Sequence, residues 1–268
     1  MPLAGRFAAV SPSPKSALST LRAWDPPGVM HGFMTRDGGV SQGSYSSLNL
    51  AEGVGDDSNA VTANWAIWSV VYPRARIARL QQVHGNRVLP IKSAFDDERR
   101  IGDGMVTKVP GIVLAIFTAD CVPVLMVDME ARVAGALHAG WRGTLAGIAS
   151  KGVRAMVVLG ANSDRICVAL GPSIGSCCFE VDTELAERFI AKIPAATACC
   201  HLGRPGKMHL DLRGILRSQL NQAGVAEGSV INVGPCTRCR CEQFFSRRAA
   251  GGAPTGLQMS FIGFDPEP

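Results

Sequence analysis

One stretch, Thr118–Gly143 (TADCVPVLMVDMEARVAGALHAGWRG), limits the fold more than any other part of the chain. Cys121–Asp128 is apolar and β-branched, Met129-Glu130 is placed for a turn, and Ala131–His138 returns as a second apolar run. Neither run alternates polar with apolar residues, so the hairpin is expected to be buried on both faces. A two-residue turn would set Cys121 opposite His138, and a slip of one or two residues would still leave both at the open end. A thiol and an imidazole at the mouth of a rigid apolar ribbon suit either a metal or a nucleophile with its base.

Around this hairpin the chain reads as an alternation of strands, loops and capped helices. Met1–Ser19, rich in Pro, Ser and Ala, is expected to be a disordered extension. His31–Asn49 is dense in Gly and Ser; it is either a plain connector or a loop that brings backbone amides to an anion, with Arg36 inside it. Asp57 or Ser58 caps a helix through about Val71. Ala78–Ile91 reads as strand, tight turn at Gly85-Asn86, and strand, which leaves His84 at a strand end as a structural histidine or a ligand. The apolar run Ile112–Phe117 feeds the central hairpin. After His138, Ala-Gly-Trp-Arg-Gly leads into a helix expected over Thr144 to about Leu159, where Arg142 could assist anion binding or merely cover the hairpin's end. Further strands fall at Arg165–Leu170 and Ser229–Val233, and helices at Asp182–Ile193 and from Asp211 to Ala223.

Composition narrows the function. The 268 residues, 47% apolar and 18% charged, suit a soluble globular protein. The longest apolar run is too short to span a bilayer, and no continuous apolar segment near the N-terminus reads as a secretory signal, so a cytoplasmic protein is expected. Nine cysteines in such a chain are expected as thiols. A net charge of +5 is compatible with anionic substrates, yet no Lys/Arg run with interleaved aromatics points to nucleic acid. Cys236, Cys239 and Cys241 lie close together, but no second Cys-x-x-Cys supplies the fourth ligand of a structural zinc.

Three candidates then carry chemistry: His84, Cys121 and His138. A zinc with three protein ligands and one open position is the usual catalytic arrangement. One thiolate and two neutral imidazoles would leave such a site with a charge of about +1, able to draw anions and to lower the pKa of a bound water. The rival is a Cys–His hydrolase with Cys121 as nucleophile, which leaves one histidine without a role. A multicopper oxidase is excluded, because such sites need many imidazoles and the chain has five histidines and no His-x-His.

The segments HGFMTRDGGVSQGSYSSLNL, QQVHGNRV, GDGMVT, TADCVPVLMVD, HAGWRGT, LGPSIGSCCFEV and CTRC…QFFSRR…TG, in that order, resemble the motif series of the laccase-domain family of purine nucleoside phosphorylases, formerly called polyphenol oxidases. The resemblance runs from His31 to Ile262. It implies zinc held by His84, Cys121 and His138, with copper able to take its place in vitro. It also implies phosphorolysis of adenosine, inosine and methylthioadenosine, with adenosine deamination as a companion activity. Arg36 matches the family's loop arginine, a candidate for phosphate or ribose contact. In the C-terminal motif Arg247 stands where relatives carry tyrosine, Arg248 matches the first arginine, Ala249 and Ala250 replace Arg-Asp, and Leu257 replaces the last arginine. Arg248 is therefore the expected active-site cation, with Arg247 its competitor, and Asp120 and Glu180 are candidate acids.

The expected fold is α+β: a mixed β-sandwich-like core flanked by helices, with the zinc site at the end of a central hairpin, and residues 21–268 forming a single catalytic domain. Purine nucleosides and inorganic phosphate are the expected partners, with neither nucleic acid nor membrane, and the oligomeric state is left open with a monomer among the options. Two other functions stay in view. One is a metal-free Cys–His hydrolase. The other is a metal-holding protein with little activity that binds a division or envelope enzyme.

Overall fold

A computed structural model of the chain describes residues 18–93 and 100–266, so that most of the expected N-terminal extension lies outside the described residues. The described chain opens on buried Leu18 and on a short strand, Thr20–Leu21, already paired with Val29–Met34.

Two mixed sheets face one another. The larger has the order Val230–Asn232, Cys167–Leu170, Val122–Asp128, Val133–Ala139, Gly104–Thr107 and Val88–Pro90. The other runs Thr20–Leu21, Val29–Met34, Gln258–Phe264, Ile112–Thr118 and Arg76–Ala78. Alternation within each strand sorts the side chains into layers. Leu125, Val127, Ala134 and Ala136 from the first sheet meet Phe33, Leu114, Ile116 and Ile262 from the second in one core. The opposite face of the larger sheet is covered by the helices Ile148–Val158, Thr183–Lys192 and Leu212–Gln222. Helix Ser58–Val71, capped by Asp57 accepting from the Asn59 N–H, covers the opposite face of the smaller sheet through Trp68. A small antiparallel sheet, Glu180–Asp182, Lys207–Leu210 and Cys200–Leu202, stands beside them. The expected α+β sandwich flanked by helices is the observed fold, and its central hairpin is buried along both strands.

Three local readings need correction. The hairpin pairs Pro123 with His138 rather than Cys121 with His138, a shift of two residues. The cause is a four-residue connection, in which Asp128 Oδ1 accepts from the N–H groups of Glu130 and Ala131 and Arg132 takes a positive φ of 51°. Arg76–Ala78 and Val88–Pro90 do not form a hairpin; they pair in parallel within different sheets, so His84 lies on a crossing segment between the layers. The helix expected from Thr144 begins earlier, at Trp141, and is broken after Leu145 by Gly147 in the left-handed region.

His31 makes the first testable point. It is 2% exposed, and its Nε2 accepts from the N–H groups of Ala23 and Trp24, which requires the neutral ring. Burial, with the nearby Arg22 cation assisting, lowers its pKa from 6.5 to about 4. Between those values the unfolded chain binds a proton that the folded chain does not, so stability is complete above 6.5 and falls as the pH drops towards 4, by up to about 3 kcal/mol. His31→Gln, which keeps an acceptor but does not titrate, should flatten that slope in denaturant titrations between pH 7 and pH 4. Identical slopes in the two proteins would rule the mechanism out.

Candidate metal centre

His84, Cys121 and His138 come together although each arrives on a different segment. Their donor atoms all lie within 4.8 Å of one another. His138 is the penultimate residue of the strand Val133–Ala139 and is buried, Cys121 sits half-buried just ahead of the strand Val122–Asp128, and His84 is exposed at the mouth. The two imidazole rings meet edge-on at 4.7 Å between centroids.

Glycine backbone makes this convergence possible. A Cβ on Gly140 would stand 2.9 Å from Cys121 Sγ and 3.1 Å from His84 Cδ2, and one on Gly143 would stand 2.6 Å from the Gly85 carbonyl oxygen. The first two glycines that follow His138 therefore let the chain close over the thiol and let the helix Trp141–Leu145 press against the His84 segment.

Asp103 organises the centre and was not singled out by sequence. Its fully buried carboxylate accepts from the N–H groups of Val83 (3.1 Å), His84 (2.8 Å) and Gly85 (2.7 Å), and from His138 Nδ1 at 2.8 Å. Its own carbonyl accepts from the His138 N–H at 2.7 Å. One side chain thus fixes the His84 segment and holds the His138 ring through Nδ1, which turns Nε2 to Cys121 and to any metal that displaces its proton. The Gly-Asp-Gly of residues 102–104 was the available signal, because a carboxylate between glycines can reach several backbone amides at once.

Electrostatics favour a ligating thiolate. Burial opposes ionisation of Cys121, but His138 and His84 outweigh it and bring the thiol from 9.0 down to about 6. Burial likewise disfavours charged His138, yet Cys121 and Asp103 raise it to about 9. A thiolate, two imidazoles and a carboxylate behind one of them form a donor set that fits a divalent metal, and donor atoms around one tetrahedral zinc stand about 3.3–3.8 Å apart. His84 at φ 59° and Asp120 at φ 86° are two of three non-glycine residues with positive φ among the described residues, and both adjoin this centre.

The other candidates are placed as follows. Asp120, next to Cys121, accepts from Thr237 Oγ1 at 2.6 Å and from the Arg248 N–H at 2.7 Å. The Arg248 guanidinium donates to the carbonyls of Cys178 and Glu180 and lies over the Phe179 ring. Arg247 is exposed and donates to the Ala253 carbonyl. Arg36 Nη1 donates to the Cys241 carbonyl at 2.7 Å, its Nε donates to the Ser46 carbonyl, and its guanidinium lies over Phe245. Arg142 is exposed against Trp141. Glu180 is unsuited to act as an acid, since Arg204 hydrogen-bonds it and holds its carboxyl down to about 2.

Comparison with known proteins places the chain among relatives along most of its length. A Deinococcus radiodurans protein named purine nucleoside phosphorylase is 42% identical over 238 residues, covering 88% of this chain and 89% of that protein. A protein from an unknown prokaryotic organism named adenosine deaminase RL5 is 36% identical over 247 residues, covering 82% and 88% respectively. The crystal structure of YlmD from Geobacillus stearothermophilus superposes with a TM-score of 0.86 at 32% identity, over 95% of this chain and 98% of its own. The family described as multi-copper polyphenol oxidoreductase laccase matches residues 30–265, and the chain belongs to that family.

Proposed function

We propose that this protein is a zinc-dependent purine nucleoside phosphorylase that also deaminates adenosine, with residues 21–268 as one catalytic domain. The observation that carries this reading is the Cys121/His138/His84 cluster backed by Asp103, in a chain whose relatives are named for those two activities. Adenosine, inosine and methylthioadenosine are the proposed nucleosides.

His84, Cys121 and His138 would hold the metal. Zinc, when bound there, supplies Lewis acidity and a water of lowered pKa. The protein's own residues do the positioning. Asp103 keeps the proton of His138 on Nδ1, so the ring presents its other nitrogen to the centre. Asp120 anchors Arg248 through the backbone N–H, bringing the C-terminal segment beside Cys121. Arg36 and Arg248 each spend part of their five donors on backbone carbonyls, which fixes the guanidinium plane and leaves the remaining edge to meet phosphate. Arg142 and Arg247, both exposed, would add positive charge for an incoming anion.

The two reactions differ in what they consume. In phosphorolysis a phosphate oxygen bonds to the ribose C1′, the bond to the purine nitrogen breaks, and the base leaves with the electron pair and takes a proton. In deamination water adds at the adenine carbon that bears the amino group, and ammonia leaves. Adenosine in phosphate-free buffer should therefore give inosine and no free adenine. Adding phosphate should bring out free base together with ribose 1-phosphate. Base release at the same rate without phosphate, giving free ribose, would show a nucleosidase and end this reading.

One observation favours a second reading. Cys121, His138 and Asp103 stand in the order of nucleophile, base and orienting carboxylate, the arrangement of a Cys–His hydrolase. A chelator separates the two, because the hydrolase would keep its rate without metal.

A further inference from the structure

We propose that Cys177, Cys178, Cys236 and Cys239 form a second metal site, a closed tetrathiolate that holds one structural zinc and staples the C-terminal segment to the loop after Leu170. The four Sγ atoms all lie within 4.8 Å of one another, with Cys178 to Cys239 at 3.4 Å and Cys177 to Cys239 at 3.7 Å. Around a tetrahedral zinc with bonds of about 2.3 Å, sulfurs stand about 3.8 Å apart, so the cluster needs only a small adjustment to close on one ion. An iron–sulfur cluster would hold the four sulfurs much farther apart, with its own sulfides between them. All four residues are free thiols.

The surroundings are those of ligating sulfur. The Gly175 N–H donates to Cys236 Sγ at 3.2 Å, and the Cys239 N–H also points to it, the amide-to-sulfur pattern that a Cys-x-x-Cys turn sets up. Zinc would displace the thiol protons of the four cysteines, releasing them to solvent. Four thiolates around Zn²⁺ leave two negative charges. Arg213 lies within electrostatic range of Cys236 and Cys177, held by Ser173 Oγ and by the carbonyls of Gly171, Gly234 and Pro235.

The consequence reaches the first centre. Cys236 is bridged to Ser173, and its neighbour Thr237 donates to Asp120, while Arg248 reaches back to the Cys178 carbonyl. A metal here would fix both segments that position Asp120 and Arg248. Sequence spacing alone missed it because the tail offers one Cys-x-x-Cys and the partner pair is vicinal and distant in the chain.

The test is metal content of the full chain purified with reductant and zinc. Wild type should carry two zinc ions per chain, Cys177→Ser/Cys236→Ser one fewer than wild type, and Cys121→Ala one, retained in the tetrathiolate. The difference between wild type and the double variant reads this site whether or not the first centre is loaded or the proposed activity holds. Should the double variant fail to fold, cobalt substituted into Cys121→Ala should give the intense sulfur-to-metal charge-transfer spectrum of a tetrathiolate. Equal zinc in wild type and the double variant, no such cobalt spectrum, iron in place of zinc, or a Cys178–Cys239 disulfide in freshly purified protein would each overturn the assignment.

Discussion

Cys121→Ala should lose the metal of the first centre and with it both proposed activities, by roughly a thousandfold or more. The size follows from what a bound divalent ion contributes to charge stabilisation, about 4 kcal/mol or more, with each 1.36 kcal/mol a factor of ten. The fold should survive, because Cys121 is half-buried at the hairpin mouth and removing one sulfur leaves a small solvent-adjacent gap. His138→Ala should behave alike in metal content but fold less well, since it also strands Asp103. His84→Ala should weaken metal binding with the smallest effect on stability, because His84 is exposed. Metal analysis, melting temperature and the two rates together separate these outcomes. Full activity in metal-depleted Cys121→Ala protein would remove the metal from the chemistry and the thiol from the hydrolase, so both readings of the site would fall together.

The hairpin and its two donors were legible because an apolar run without alternation has few places to go except a buried strand. What stayed hidden was set by groups acting from a distance in sequence. The two-residue register error came from Asp128, whose carboxylate builds a longer turn and also accepts from the Asn162 N–H. His84 reads as the end of a hairpin because Gly85-Asn86 is a strong local turn signal, yet the flanking strands pair in different sheets and three consecutive N–H groups turn to Asp103 instead. Glu180 looked free in its motif, and only the fold shows Arg204 on it. Arg36 and Arg248 read from sequence as anion-facing cations, and in the fold each is a brace between segments. A charged side chain in a sequence does not say how many of its donors the backbone will claim.

Asp103 is where that hidden organisation can be measured. The carboxylate is fully buried with four donors converging on it. Burial resists its charge, but the bonds from His138, Gly85 and Val83 win and hold its pKa below 3.8. Its contribution to stability is therefore complete above about pH 4 and is lost as the pH falls below that. Asp103→Ala would leave three part-buried amides and a buried imidazole N–H without their acceptor, at a cost of about 3–5 kcal/mol, or roughly 10 °C in melting temperature. Asp103→Asn keeps the volume but removes the charge, and its NH₂ group must face one of the existing donors. Loss of a carboxylate behind a ligating histidine lowers metal affinity about 10- to 100-fold, so Asp103→Asn should need more zinc for half-maximal activity while its rate at saturating zinc recovers in large part. A purely structural role would lower the melting temperature and leave the zinc requirement where it was. Unchanged zinc affinity in a folded Asp103→Asn protein would mean that His138 is oriented by its strand alone, and that Asp103 serves only the segment carrying His84.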